Sequence, residues 1–205
     1  MSNPIQQAIE ARASANHYDP GRALSDADIM TLVEQATRAP SAYHFQNWKF
    51  IAVRTPEAKA RLLTVSYGQQ KVADASVTFI ICGMLAAHEQ LARSLEPCVR
   101  TGGMDQSLAD DWVAQATRAH SGNPVLQRDE AIRSASLAAM TMMLAAQGMG
   151  LATGAMTGFD AERLSREFAL PPTAVPAILI TVGYPIPGNW PQKHRRPLHE
   201  VIAFA

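Results

Sequence analysis

The sequence predicts an α+β domain, with a small central sheet surrounded by helices. Three observations carry this. Short, apolar, β-prone runs stand at 48–53, 77–82 and 177–182, each bounded by turn or cap residues. Most of the chain between them repeats apolar residues at helical spacing. With 205 residues and 47% hydrophobic composition, the chain can bury a substantial core and falls within the size of one domain, taken as 1–205.

The elements follow in order. Asn3 and Pro4 read as the N-cap and first position of a helix running into Arg12, with Ile5, Ala8 and Ile9 on one face. Ser25 with Asp28 three residues on forms a weak capping box. Ile29, Leu32, Val33 and Ala36 then recur at helical spacing, and the helix is expected to end near Ala39, before Pro40. Trp48–Val53 is the first strand, and Thr55-Pro56 caps the next helix. Val77–Cys82 is a buried strand.

Residues 83–123 read as helical but charged and irregular, broken at Gly102-Gly103, and are expected to form a mobile cover over a site. The longest helix is expected from about Val125 to Gln147. It is crowded with small residues, including Ala131, Ser134, Ala135, Ala138 and Ala139, and Met140, Met142 and Met143 make its middle apolar on nearly every side. Two readings stand: a dimer core, or a buried helix within one subunit. Beyond it, Gly154–Asp160 reads as a short strand opening into a glycine turn, with Asp160 as the next N-cap. Ala177–Val182 closes the sheet.

Composition excludes several classes. Eighteen basic residues balance eighteen acidic ones, so no global field draws the chain to nucleic acid or an anionic membrane. The N-terminus lacks the charged and apolar regions of a signal peptide, and no apolar stretch is long enough to span a bilayer. A cytoplasmic protein is expected. Cys82 and Cys98 lie far apart with no partner at metal-ligand spacing, which argues against a disulfide framework or a structural zinc site. The glycine-rich dinucleotide fingerprint, the phosphate loop, the serine elbow and the His-Glu-x-x-His zinc motif are all missing.

Four segments remain as candidates for binding. Arg12-Ala13-Ser14-Ala15-Asn16 places a guanidinium and a hydroxyl two residues apart where a helix ends. That pair can clasp a phosphate, or simply make a solvated helix end favourable to the dipole. Ala39-Pro40-Ser41-Ala42-Tyr43-His44-Phe45-Gln46-Asn47-Trp48 is a loop of small and polar residues between helix and strand, open to either an ordinary connection or a site. Gly154–Asp160 says only that a backbone approaches something closely. Lys193-His194-Arg195-Arg196-Pro197 is a basic cluster on an extended segment, which can be solvated or can hold an anion.

In this order the four segments resemble the nitroreductase family of FMN enzymes, over nearly the whole chain. Arg12 and Ser14 match that family's N-terminal Arg-x-Ser phosphate element, which brings Ala13 and Asn16 with it. Pro40-Ser41 with Gln46 and Trp48 matches its Pro-Ser-x-x-x-x-Gln-x-Trp loop, so that Pro40, Ser41, Ala42, Tyr43, His44 and Gln46 are expected at the flavin of a neighbouring subunit. Gln70 and Lys71 fall where the family places polar residues near the flavin pyrimidine edge. Gly158-Phe159-Asp160 matches the Gly-Phe-Asp turn whose preceding backbone faces the isoalloxazine, which brings Met156, Thr157 and Gly158 to the flavin. There a glycine both avoids intruding on the ring and accepts backbone angles closed to other residues. Lys193 and Arg195 match the C-terminal basic element that closes on the phosphate.

The resemblance therefore implies a nitroreductase-like fold and an intertwined homodimer, with residues 184–205 as an arm exchanged onto the partner. It implies bound FMN, NADH or NADPH as electron donor, and nitroaromatic, quinone or related acceptors reduced by a ping-pong hydride mechanism. No side chain need be catalytic and no metal is called for, because the cofactor carries the chemistry. Two alternatives share the same clasp: a flavin-holding or sensing protein with little turnover, and another reaction of the superfamily such as reductive dehalogenation. The chain departs from well-known members at Asn16, His44, Asn47 and Thr157, where they often carry Lys or Arg, Asn, Pro and Glu. Thr157 removes a negative charge beside the flavin face and leaves the choice of nicotinamide open.

Overall fold

The computed structural model describes residues 3–205, so the first two positions of the expected domain lie outside the described residues. Asn3 caps α1 (Pro4–Ala11), its side chain accepting the amide hydrogen bond of Ile5. This helix buries none of its residues: Ile5 and Ile9 form an apolar face left open to solvent. The Ser25/Asp28 capping box is formed in full at the start of α2 (Asp26–Ala36). That helix stops at Ala36 rather than near Ala39. Its last turn tightens, with Arg38 and Ala39 donating to carbonyls three residues back at 3.0 and 3.2 Å, a common way to satisfy terminal carbonyls.

Four strands make one antiparallel sheet in the order β1-β2-β4-β3: β1 (Trp48–Val53), β2 (Val77–Met84), β3 (Ala152–Met156) and β4 (Ala174–Gly183). Strand alternation divides the core between the two faces. Val77, Phe79 and Ile81 of β2, with Ile180 and Val182 of β4, pack against α2 and against α7 (Pro124–Gly148). Ile80, Cys82 and Leu179 pack on the opposite face with Leu62 and Val65 of α3 (Pro56–Val65) and Leu164 of α8 (Ala161–Glu167). A four-residue helix, α4 (Lys71–Asp74), leads into β2.

β4 begins three residues before the apolar run that announces it and takes Pro176 into its ladder, opposite Cys82 at an irregularity in register. Proline is tolerated there because β3 reaches only as far as Leu179, so this end of β4 has a single neighbour. Beyond β2 the expected cover becomes a 3-10 turn (Ala87–Gln90), α5 (Leu91–Arg100) and α6 (Gln106–His120). These pack around their own small cluster of Leu91, Leu95, Ala109 and Ala116, to which Phe45 of the 40–47 loop belongs. The break falls at 101–105, where Gly102 has φ +74°.

α7 spans 25 residues and serves the core of its own subunit: Ala131, Ala135, Ala138, Ala139, Met142 and Ala146 are all buried. Val125, Leu137 and Met140 remain exposed on it. Among the described residues no helix is long and apolar enough to cross a membrane.

Cys82 is fully buried and its thiol is pushed up to about 11 by desolvation, whereas Cys98 is half-buried on α5. Thiolate, not thiol, is the reactive form. Native protein is therefore expected to titrate one thiol per chain with a disulfide reagent at neutral pH, and two after denaturation. Two fast thiols in the native state would contradict the placement of Cys82.

Candidate functional site

The site begins where α1 ends. Arg12 leaves helical geometry (φ −65°, ψ 117°), and the next residues run extended beside β3. Ser14 bridges Thr153 in parallel, and the Ala15 amide donates to the Thr153 carbonyl at 2.8 Å. Gly154 makes this contact feasible, since a Cβ there would lie 2.7 Å from both the Ala15 carbonyl oxygen and Thr181 Oγ1. Tyr18 anchors the same run from beneath. Its hydroxyl is 2.8 Å from Thr181 Oγ1, which donates to the Gly154 carbonyl at 3.1 Å. Burial raises the Tyr18 phenol far above its usual range, so it stays neutral.

The C-terminal segment returns to this point. Tyr18 and Pro185 form an antiparallel bridge, and the Gln192 side chain donates to the Arg12 carbonyl at 3.0 Å. Between the two segments lies a cleft of about 310 Å³ lined by Arg12, Ala13, Ser14, Asn16 and Lys71, by Ala155 of β3, and by Trp190, Pro191, Gln192, Lys193 and Arg195. Lys71 Nζ donates to Asn16 Oδ1 at 3.3 Å, and Lys193 Nζ lies 5.0 Å from the centre of the Trp190 ring.

The electrostatics of the cleft are one-sided. Arg12, Lys71, Lys193 and Arg195 all line it, and no carboxylate does. None of the four forms an ion pair among the described residues. Partial burial lowers the Lys71 ammonium below its ordinary range, an effect that an anion in the cleft would offset. A neutral chain has thus gathered four cations around one concavity, which suits an anion with several acceptor oxygens. The wider cavity lined by Phe45, Asn47, Met84 and Arg93 lacks this concentration of charge and lies against the cover helices instead.

The structure brings together seven of the residues singled out from sequence: Arg12, Ala13, Ser14, Asn16, Lys71, Lys193 and Arg195. Thr157 and Gly158 are exposed just beyond Ala155, at the end of β3 that borders the cleft. The Met156 side chain is turned into the core, so only its backbone faces outward. Gly158 needs correcting in one respect. It is not among the glycines with positive φ, so no special backbone angle requires it. A Cβ there would meet only the Gln69 side-chain amide, at 3.1 Å. Gln70 does not line the cleft, and its side-chain amide donates to Asp74 at 2.8 Å.

Pro40, Ser41, Ala42, Tyr43, His44 and Gln46 are not brought to the cleft of their own chain. Their loop is nonetheless tightly built. Ser41 Oγ accepts from the Gln46 amide at 2.9 Å, and Tyr43, His44 and Gln46 have φ of 51°, 63° and 48°. Three such residues without a glycine cost of order 1–3 kcal/mol each, so the surroundings must over-determine them. Tyr43 is held by Phe45, Trp112 and His120, with ring centres 5.5, 6.2 and 6.3 Å away.

Several residues escaped the sequence reading. Trp190, Pro191 and Gln192 form one wall of the cleft. Gln69 donates to the Gly158 carbonyl at 2.9 Å and so holds the turn after β3. A tryptophan in a Pro- and Gly-flanked polar run was the available signal.

Comparison with known proteins gives the family and the fold. YodC of Bacillus subtilis (strain 168), provisionally named an NAD(P)H nitroreductase, is 33% identical over 205 residues, covering 100% of both chains. The crystal structure of ydfN from Bacillus subtilis, provisionally named a nitroreductase, is 29% identical and covers 98% of each chain with a TM-score of 0.91. A protein of Exiguobacterium sibiricum, solved in complex with FMN and given the same provisional name, shares the fold with a TM-score of 0.91 at 24% identity, over 100% of this chain and 99% of its own. The nitroreductase family model matches residues 9–184, and the chain belongs to that family.

Proposed function

We propose that the chain is an FMN-dependent oxidoreductase that takes electrons from NADH or NADPH and passes them to nitroaromatic, quinone or related acceptors, working as a homodimer. The observation that carries this reading is the cleft itself: four cations and the Ser14 hydroxyl converge with no facing carboxylate. That donor set fits a dianionic phosphate, and the names of YodC and of the FMN complex point the same way.

FMN, when bound, supplies hydride acceptance and return. The chain's own residues bind and orient. Arg12, Ser14, Lys193 and Arg195 would hold the phosphate, as charge-assisted donors at one end of the ligand. Lys71, next to Asn16, would stabilise negative charge developing at the pyrimidine edge. The exposed backbone at 157–158 would lie along the ring, with the Gly158 carbonyl fixed by Gln69. Donor and acceptor would use this open face in turn, as a ping-pong scheme requires.

Two features support a shared site. The 40–46 loop is internally hydrogen-bonded but does not line its own cleft, which suits a role at the partner's. The arm after Trp190 is exposed throughout, with Leu198 and Phe204 79% and 91% open.

The test is the absorption spectrum of purified protein, followed by anaerobic NADH and NADPH additions. A flavin spectrum bleached rapidly by either donor is expected. Retained flavin without bleaching would favour a sensing role, and failure to bind FMN would overturn the reading. Ser14→Ala and Arg195→Ala should each weaken FMN by about 1.5–3 kcal/mol, as expected for a lost hydrogen bond to a charged group. Unchanged affinity in both variants would show the clasp to be misplaced.

A further inference from the structure

We propose that Asn189 is a positioning residue for the anion cleft, locking the backbone of residues 16 and 17 to the root of the C-terminal arm so that the cleft's two cationic walls keep a fixed separation. This rests on the flavin reading of the cleft and adds a determinant of phosphate recognition that makes no contact with the phosphate.

The Asn189 amide is fully engaged. Its Oδ1 accepts from two successive backbone amides, Asn16 at 2.7 Å and His17 at 3.0 Å. Its Nδ2 donates to the His17 carbonyl at 2.8 Å and to the Ile186 carbonyl at 3.1 Å. One side chain thus closes three hydrogen bonds between segments more than 170 positions apart in sequence, and a fourth within its own turn. Only an amide offers both two acceptor lone pairs and two donors at that spacing. Gly188 directs it there with a φ of +104°, a backbone conformation that other residues rarely adopt.

Position gives this clamp its consequence. On one side, Asn16 leads back through Ala15 to Ser14 and Arg12, and its own side chain accepts from Lys71. On the other side, the chain leaves Asn189 through Trp190 to Lys193 and Arg195. Asn189 does not line the cleft but an adjoining cavity that shares Ala13, Ser14 and Trp190 with it. Without it, the arm's root would be held to this segment by little more than Gln192 and the Tyr18–Pro185 bridge. The cations would then meet a phosphate only after ordering, and that cost appears as lost affinity.

The experiment compares FMN with riboflavin, which has the same ring system and no phosphate, by flavin fluorescence titration of apoprotein. In Asn189→Ala, FMN affinity should fall about tenfold or more while riboflavin changes by less than about twofold, because only the phosphate end uses the clamped walls. Equal losses for both ligands would mark a merely structural role and overturn the proposal, as would unchanged FMN affinity. Should Asn189→Ala not fold, Asn189→Ser, which keeps one acceptor, carries the same comparison. If wild-type apoprotein bound neither flavin, the cofactor reading would fall and this inference with it. Normal wild-type FMN binding with an unaltered FMN-to-riboflavin ratio in the variant would sink this inference alone.

Discussion

Gly83→Ala is expected to be the most damaging single methyl group that can be added to this chain. Gly83 lies near the end of β2, where α7 crosses the sheet. A Cβ built on it would stand 2.0 Å from the Ala131 carbonyl oxygen and 2.3 Å from its carbonyl carbon. Both obstacles are backbone atoms of the 25-residue α7, and Gly83 itself is fixed in the central sheet, so no rotamer change relieves the clash. Relief requires α7 to lift from the sheet, and with it Ala135, Ala139 and Met142, which seal the core over Phe79 and Ile81. Overpacking typically costs about 1–3 kcal/mol and occasionally more. With backbone on both sides the variant should lose at least about 3 kcal/mol, a large share of the roughly 5–15 kcal/mol that holds a domain together. Urea unfolding followed by far-UV circular dichroism measures it. A midpoint close to that of the wild type would show that α7 does not approach the sheet so closely at Gly83.

Such a contact could not be read from sequence, and the reason generalises. Local chemistry announces itself: Asn3, Ser25, Thr55 and Asp160 each cap the helix they precede, as residue type and spacing suggest. The apolar runs at 48–53 and 77–82 became strands because alternate residues fill two opposite cores. Where tertiary surroundings overrule local preference, the reading slips. Pro176 disguised the start of β4, since nothing local shows that its side of the strand lacks a neighbour. Tyr43, His44 and Gln46 adopt positive φ with no glycine to signal it.

The candidate site divides in the same way. Arg12, Ser14, Lys71, Lys193 and Arg195 were legible because charge and family resemblance mark them, and the fold places them around one cleft. Asn189 and Gln69 were not, because each acts through hydrogen bonds to backbone distant in sequence. An amide in a loop carries no mark of the carbonyl it will meet.

Deleting residues 190–205 should remove flavin and dimer together while sparing the body of the subunit. Every residue of this arm is exposed, so it contributes nothing to the core of its own chain. It nevertheless carries Leu198, Val201, Ile202 and Phe204, four large apolar side chains that are 79%, 55%, 53% and 91% exposed. Burial against a second copy would contribute about 1.5–3 kcal/mol for each one fully covered, before the cost of association. Among the described residues β1 pairs only with β2, so its other edge is open to strand pairing with such a segment. The same deletion takes away Lys193 and Arg195, two of the four cations of the cleft. At about 1.5–3 kcal/mol each, their joint loss amounts to a factor of about 10² to 10⁴ in FMN affinity if the two act independently. The truncated chain should therefore run as a folded, colourless monomer. Light scattering after gel filtration gives the mass, and the ratio of absorbance at the flavin band to that at the protein band gives the occupancy. A truncated protein that stays dimeric with stoichiometric FMN would overturn the role given to the arm. Loss of its far-UV circular dichroism would instead show that the arm supports the fold of its own subunit.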